Sequence, residues 1–111
     1  YSKEAFTAAV SGGRGVMIDF SADWCVPCHE LEMISFTDPA VLSLSEKIAA
    51  LKVDLTRSGE REKELKKEFG IVGVPTIIFF DASGNEVPGT RITGFVGPEA
   101  LLEKMKRIAG E

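Results

Sequence analysis

Val16-Met17-Ile18-Asp19-Phe20-Ser21-Ala22-Asp23-Trp24-Cys25-Val26-Pro27-Cys28 is the stretch on which the reading of this 111-residue chain turns. It begins as an apolar run and ends in the only two cysteines of the sequence, spaced three apart. A nearly continuous apolar run reads as a strand covered on both faces. If the residues after Cys25 turn helical, both sulfurs fall on the first turn. Side chains at i and i+3 of a helix lie about 5–6 Å apart at Cβ, so small adjustments bring them to bonding distance. The first turn also leaves backbone N–H groups unpaired and carries the positive end of the helix dipole, which favours a thiolate. One short segment can thus hold a dithiol, a disulfide and an activated nucleophile, and it reads as a thiol–disulfide redox site.

The elements around this stretch alternate. Ser2 caps a first helix that presents Ala5, Phe6, Ala9 and Val10 on one face and stops at Gly12-Gly13. Residues 16–22 are the first strand. A helix follows from Val26 to Ile34, with Leu31 and Ile34 inward. Thr37-Asp38-Pro39 is a fresh start, a capping residue ahead of a proline at the first helical position, so the helix kinks or breaks near Ser35-Phe36. The second piece carries Val41, Leu42, Leu44 and Ile48. Ala49–Leu55 is a second strand, parallel to the first through a right-handed crossover. Ser58–Phe69 is a charged helix with a thin apolar stripe, Leu65 and Phe69. Val74–Phe80, the most apolar run, is a central strand. A turn at 81–85 leads to an antiparallel strand over Pro88–Phe95. Pro98 opens a last helix with Leu101, Leu102, Met105 and Ile108 buried, and Gly110 ends it. The expected fold class is α/β, a mixed sheet of four or five strands with helices on both faces, in one domain over residues 1–111. The site belongs at the C-terminal end of the first strand.

Composition narrows the function. At 44% hydrophobic and 27% charged, the chain is an ordinary globular domain, and its net charge of −4 offers no basic patch for nucleic acid. No apolar run approaches the roughly 20 residues needed to cross a bilayer. The chain opens on Tyr1-Ser2-Lys3-Glu4, without the charged start and apolar stretch of a signal peptide, and reads as an excised domain or a mature form. Two cysteines are not a disulfide framework.

A Cys-x-x-Cys in a βαβ setting is the signature of thioredoxin-like proteins, and the match extends along the chain. Asp19 sits six residues before Cys25, Trp24 directly precedes it, and Gly73-Val74-Pro75-Thr76 opens the later apolar strand, where that superfamily carries a cis-proline loop. Ala22–Cys28 with Glu30-Leu31-Glu32, Phe36-Thr37-Asp38-Pro39, Phe79-Phe80-Asp81 and Arg91-Ile92-Thr93-Gly94-Phe95 resembles the C-terminal thioredoxin-like domain of the DsbD family of bacterial thiol:disulfide interchange proteins. The resemblance implies a thioredoxin-like fold and a periplasmic location. It implies that electrons pass from a transmembrane domain to an N-terminal domain of the same protein. Val26-Pro27 departs from the Gly-Pro of ordinary thioredoxin, which leaves the redox potential open. A free-standing thioredoxin-like reductase with broader clients is the nearest alternative.

The candidate residues each have a plainer reading. Cys25 is the nucleophile and is expected to be the more exposed sulfur; Cys28, one turn in, is the resolving thiol. With His29 they supply three of the four ligands a structural zinc needs, so a metal site would require carboxylates or a second chain. Cys25-x-x-Cys28-His29 also matches the attachment motif of c-type haem, with Met17, Met33 or Met105 as a distal ligand. Its place between a strand and a helix of an α/β chain weighs against that. Otherwise His29 is a surface residue adding positive potential near the thiolate. Asp19, among apolar neighbours, is a buried carboxylate with a raised pKa, able to relay a proton to or from Cys28. Glu32, four residues past Cys28, is by sequence a solvated helix residue; the resemblance gives it and Asp19 a joint role in tuning the cysteines. Two carboxylates there would oppose the helix dipole. A cis bond at Pro75 would free the Val74 backbone to pair with an extended partner segment, and Trp24 either joins that docking surface or covers the core edge. No bound cofactor is needed. The expected partners are protein dithiols and disulfides, met by a monomer. A redox-inert binding module is the reading left if the cysteines do not cycle.

Overall fold

The computed structural model describes residues 1–110. Its elements are α1 (Lys3–Ser11), β1 (Val16–Ser21), α2 (Val26–Glu30) running into a π-helical turn (Leu31–Ser35), α3 (Pro39–Ser45), β2 (Ala49–Asp54), α4 (Glu60–Phe69), β3 (Thr76–Phe80), β4 (Ile92–Thr93) and α5 (Pro98–Ala109). The sheet has the order β2-β1-β3-β4. β1 and β2 are parallel, while β3 runs antiparallel to both β1 and β4. The inner strands β1 and β3 are buried at every position, as their unbroken apolar runs require.

Side chains alternate across β1 and divide the core in two. Val16, Ile18 and Phe20 enter one cluster with Ala9 of α1 and Leu65 of α4. Met17 enters the other with Leu31, Val41 of α3, and Leu101 and Met105 of α5. Helices therefore cover both faces. Asp19 shares the parity of Met17, so it lies on the face roofed by the helix that carries Cys28.

Local signals place the helices. Ser2 Oγ accepts from the Ala5 N–H at 3.0 Å. Asp38 Oδ2 accepts from Ala40 and Val41 N–H at 3.1 and 3.2 Å, with Pro39 at the first helical position. Helix α4 starts at Glu60, two residues later than expected, because Gly59 is its N-cap and its N–H donates to Glu62 Oε1 at 2.9 Å. It ends at Gly70, whose φ of 66° suits glycine.

Three expectations need correction. Ile34 points outward, 51% exposed, and Ser35 is fully buried instead. The π turn is the cause: Phe36 N–H donates five residues back, to Leu31 O, at 2.8 Å. The wider turn carries one extra residue and rotates Ser35 into Ile34's expected place, where its hydroxyl donates to Val96 O. Leu42 is likewise half-exposed, at the lip of a cleft between α3 and β2. The strand expected over Pro88–Phe95 shrinks to Ile92–Thr93. Pro88 has no ladder N–H to give, and Gly89 and Gly94 hold φ of 72° and 90°, so the chain leaves the sheet between an isolated bridge at Glu86 and the short β4.

Candidate active site: a disulfide at a helix start

β1 delivers the chain to a tight turn, in which Cys25 N–H donates to Ala22 O at 3.2 Å. Cys25 is the N-cap of α2, and its Sγ accepts from the Cys28 N–H at 3.2 Å. Pro27 falls in the first turn, where a missing N–H costs nothing. Cys25 and Cys28 are joined in a disulfide, their Cα atoms 5.3 Å apart. The exposure contrast expected between them is absent: 4% for Cys25 and 3% for Cys28. Both pack with Ala22 and against Val74, which closes over the pair. The asymmetry lies in position. Sγ of Cys25 receives an N–H at the positive end of the helix, an arrangement that stabilises a thiolate there on reduction.

The loop before Cys25 is tied from two sides. Asp23 N–H donates to Thr56 Oγ1 at 2.8 Å, and Trp24 Nε1 donates to Thr56 O at 3.2 Å. From the helix, His29 Nε2 lies 2.6 Å from Asp23 O, so this nitrogen carries the proton it donates. The anchored indole of Trp24 is nonetheless 66% exposed. Across a groove of about 110 Å³ from it stand Val72, Gly73 and Val74. The Val74–Pro75 peptide bond is cis. Thr76 Oγ1 donates to Gly73 O at 2.7 Å, and Gly94 N–H to Pro75 O at 3.0 Å. Trp24 and Val74 line one groove, and Val74 also packs against Cys25, while Pro75 is buried.

On the same face of β1 as Met17, Asp19 pairs in register with Lys52 of β2 and Ile77 of β3. It is 8% exposed, and its buried Oδ1 accepts no hydrogen bond among the described residues. Burial pushes its carboxyl up from 3.8 to about 6; Lys52 pulls it down, and Glu32 pushes it up. Lys52 Nζ meets Glu32 Oε1 at 2.7 Å, with both side chains about half-exposed. Such a pair contributes about 0–1 kcal/mol, so its importance is the field at Asp19. Asp19 and Glu32 line one cleft of about 270 Å³.

The raised pKa fixes a stability profile. The folded domain keeps the Asp19 proton to higher pH than the unfolded chain does. Asp19's favourable contribution is therefore complete below pH 3.8 and lost as pH rises through about 6. A shift of about two units corresponds to about 3 kcal/mol. Asp19→Asn is expected to be more stable than the parent above pH 7 by about 2–3 kcal/mol. The gain should vanish toward pH 4. Urea unfolding of both oxidised proteins from pH 4 to 8 checks this, and parallel profiles would refute it.

Lys52, Thr56 and Asp23 escaped sequence reasoning. Lys52 did leave a signal, a lone charge between Leu51 and Val53 in a strand that also had to pair beside Asp19. The roles of Thr56 and Asp23 depend on the approach of two loops, which no local pattern marks. Among the described residues, no cluster of three or more His, Cys, Asp or Glu is arranged to hold a metal ion. Met17 and Met105, two of the candidate haem ligands, are packed in the core at 3% and 0% exposure.

Comparison with known proteins agrees with this geometry. The family model for a thioredoxin-like domain matches residues 2–109. The chain is 43% identical over 107 residues to the thiol:disulfide interchange protein DsbD of Ralstonia nicotianae, covering 96% of this chain and 17% of that protein. It is 39% identical over 103 residues to DsbD of Pectobacterium atrosepticum, covering 93% and 18%. It therefore spans about a sixth of these relatives. Among solved structures, the oxidised DsbD C-terminal domain of Neisseria meningitidis superposes with a TM-score of 0.82 at 24% identity, covering 95% of this chain and 90% of that one. A thioredoxin from Thermus thermophilus gives 0.78 at 25%, covering 95% and 81%. With the fold, the paired cysteines and a family match over nearly its whole length, this chain belongs to the thioredoxin-like domain family.

Proposed function

We propose that this domain is a DsbD-type thiol:disulfide oxidoreductase that receives electrons from a membrane-embedded domain and passes them to a periplasmic protein disulfide. The observation that carries the reading is the Cys25–Cys28 disulfide at the N-cap of α2, in a chain 43% identical to a DsbD. No helix among the described residues is long and apolar enough to cross a membrane, so any membrane step falls to a partner. The partner is another domain of the same protein, met by a monomer at the Trp24–Val74 groove.

In the reduced domain, the Cys25 thiolate attacks one sulfur of the partner disulfide and expels the other as a thiolate. A mixed disulfide forms. Cys28 gives its proton to the Asp19 carboxylate, and its thiolate attacks Cys25 Sγ. The partner leaves with both sulfurs reduced, and Cys25–Cys28 is oxidised; two electrons have moved. Burial raises Asp19's proton affinity most, and Lys52 lowers and Glu32 raises it from either side. A donor dithiol then reverses the sequence at Cys25–Cys28.

The test is equilibration in thiol/disulfide buffers of graded potential, following Trp24 fluorescence and free thiols together. A reversible two-electron transition toward the thioredoxin value of about −270 mV is expected of an electron donor. A midpoint near that of DsbA, about −120 mV, would make the domain an oxidant. No reversible transition would leave a redox-inert module.

A further inference from the structure

The two residues before Cys25 are gripped from outside their own turn. Asp23 N–H and the Trp24 indole N–H both donate to Thr56, the first to Oγ1 and the second to the backbone carbonyl. His29 Nε2–H donates to Asp23 O at 2.6 Å. Thr56 is itself held. Its hydroxyl and its N–H both donate to Asp54 Oδ1, so the hydroxyl proton is committed and a lone pair is left for Asp23. The Thr56 hydroxyl and then its N–H keep the Asp54 carboxyl below its ordinary value, so it stays an acceptor. Leu55, between the two, is buried, and its N–H donates to Ser21 O at 2.7 Å, one step beyond the paired ends of β1 and β2. The grip thus comes from the sheet on one side and from α2 on the other. Trp24 needs it. Its side chain is largely exposed, so packing does not fix its rotamer, yet it forms one wall of the groove shared with Leu55, Val72 and Val74. A large side chain ordered before an encounter does not have to be ordered during it. The sulfurs draw on a different bond, the Cys28 N–H donated to Cys25 Sγ within α2.

We propose that Thr56 and His29 are positioning residues for partner capture: they fix the Asp23–Trp24 turn so that the indole stands ready as one wall of the groove that receives a protein disulfide, and they leave the reactivity of Cys25 unchanged. This role rests on the thiol-exchange reading given above and adds to it the residues that prepare the docking surface. It also accounts for the histidine of Cys25-x-x-Cys28-His29 by a directed N–H rather than by a charge or a metal bond. A small disulfide, which needs no wall to reach Cys25, does not sense the grip. A protein disulfide does, at the binding step.

The test sets insulin, with dithiothreitol as reductant, against neutral hydroxyethyl disulfide. Thr56→Val removes the Oγ1 acceptor at nearly constant volume, and His29→Leu removes the ring donor. Each is expected to raise KM for insulin by about two- to tenfold, the cost of ordering one large side chain on binding. The kcat for insulin and the rate with hydroxyethyl disulfide should stay within about twofold of the parent, which also shows that the variants fold. Thr56→Ser keeps the hydroxyl and should keep the parent's KM. In the oxidised parent the Trp24 indole N–H should have an NMR order parameter near the rigid value of about 0.85, and it should fall in both disrupting variants. Unchanged KM in both variants, an equal loss with the small disulfide, a Thr56→Ser as impaired as Thr56→Val, or a parent indole already below about 0.6 would overturn the positioning role alone. A parent that reduces neither disulfide would overturn the thiol-exchange reading, and the positioning role with it.

Discussion

Cys25→Ser is expected to abolish disulfide reduction, with a loss of at least about a thousandfold, because it removes the only group placed to open a partner disulfide and no other residue takes over a lost nucleophile. Cys28 cannot substitute. The N–H at the start of α2 is donated to Cys25 Sγ, the N-cap sulfur, so the Cys28 sulfur lacks that stabilisation of its thiolate. A serine hydroxyl at the same N-cap still accepts that N–H, so the variant should fold with unchanged secondary structure. The companion Cys28→Ser should behave differently: it attacks a partner once and accumulates the mixed disulfide, visible as a covalent complex on a non-reducing gel. Insulin turnover measures the first loss. Full activity in Cys25→Ser would end the thiol-exchange reading, whereas a mixed disulfide accumulating in Cys25→Ser and not in Cys28→Ser would reassign only the order of attack.

Phe20→Ala is expected to cost about 3–5 kcal/mol, the range for emptying a buried aromatic site. Phe20 is fully buried on β1, its ring 5.3 Å from that of Phe69 at the end of α4. Phe69 in turn meets Tyr1 at 5.7 Å and Phe80 at 6.3 Å. Truncation therefore opens a hole where the first strand, the third strand and α4 converge. Domains of this size hold about 5–15 kcal/mol in total, so the variant should lose a large share of its stability. Its urea midpoint should fall with little change in slope. A shift worth less than about 1 kcal/mol would show that the surrounding rings collapse into the space.

The residues legible in advance were those whose signal is local. The cysteine spacing, the apolar run broken by Asp19, the Asp38-Pro39 cap and the α5 stripe were each readable because one element's period or cap fixes them. Glu32's position beside Asp19 came from resemblance, since a glutamate on a helix carries no mark of what it faces. Ile34 was misread because the 3.6-residue period fails inside a π turn. The β4 strand was misread because apolar content overrode Pro88 and two glycines. The similar burial of the two sulfurs was hidden for another reason: Val74, which covers them, arrives from nearly fifty residues away.

The π turn has a consequence for how sequences of this kind change length. Its extra residue lies between two correctly phased stretches, the helix bearing the cysteines and the π-bonded end that buries Ser35 against Val96. Losing one residue there lets the coil close to ordinary α geometry without disturbing the cap at Cys25. The same loss within 26–30 would rotate Cys28 away from its partner. Relatives that differ by a single deletion in this helix should therefore place it within 31–35, making the turn a point of tolerated variation one step from the chemistry.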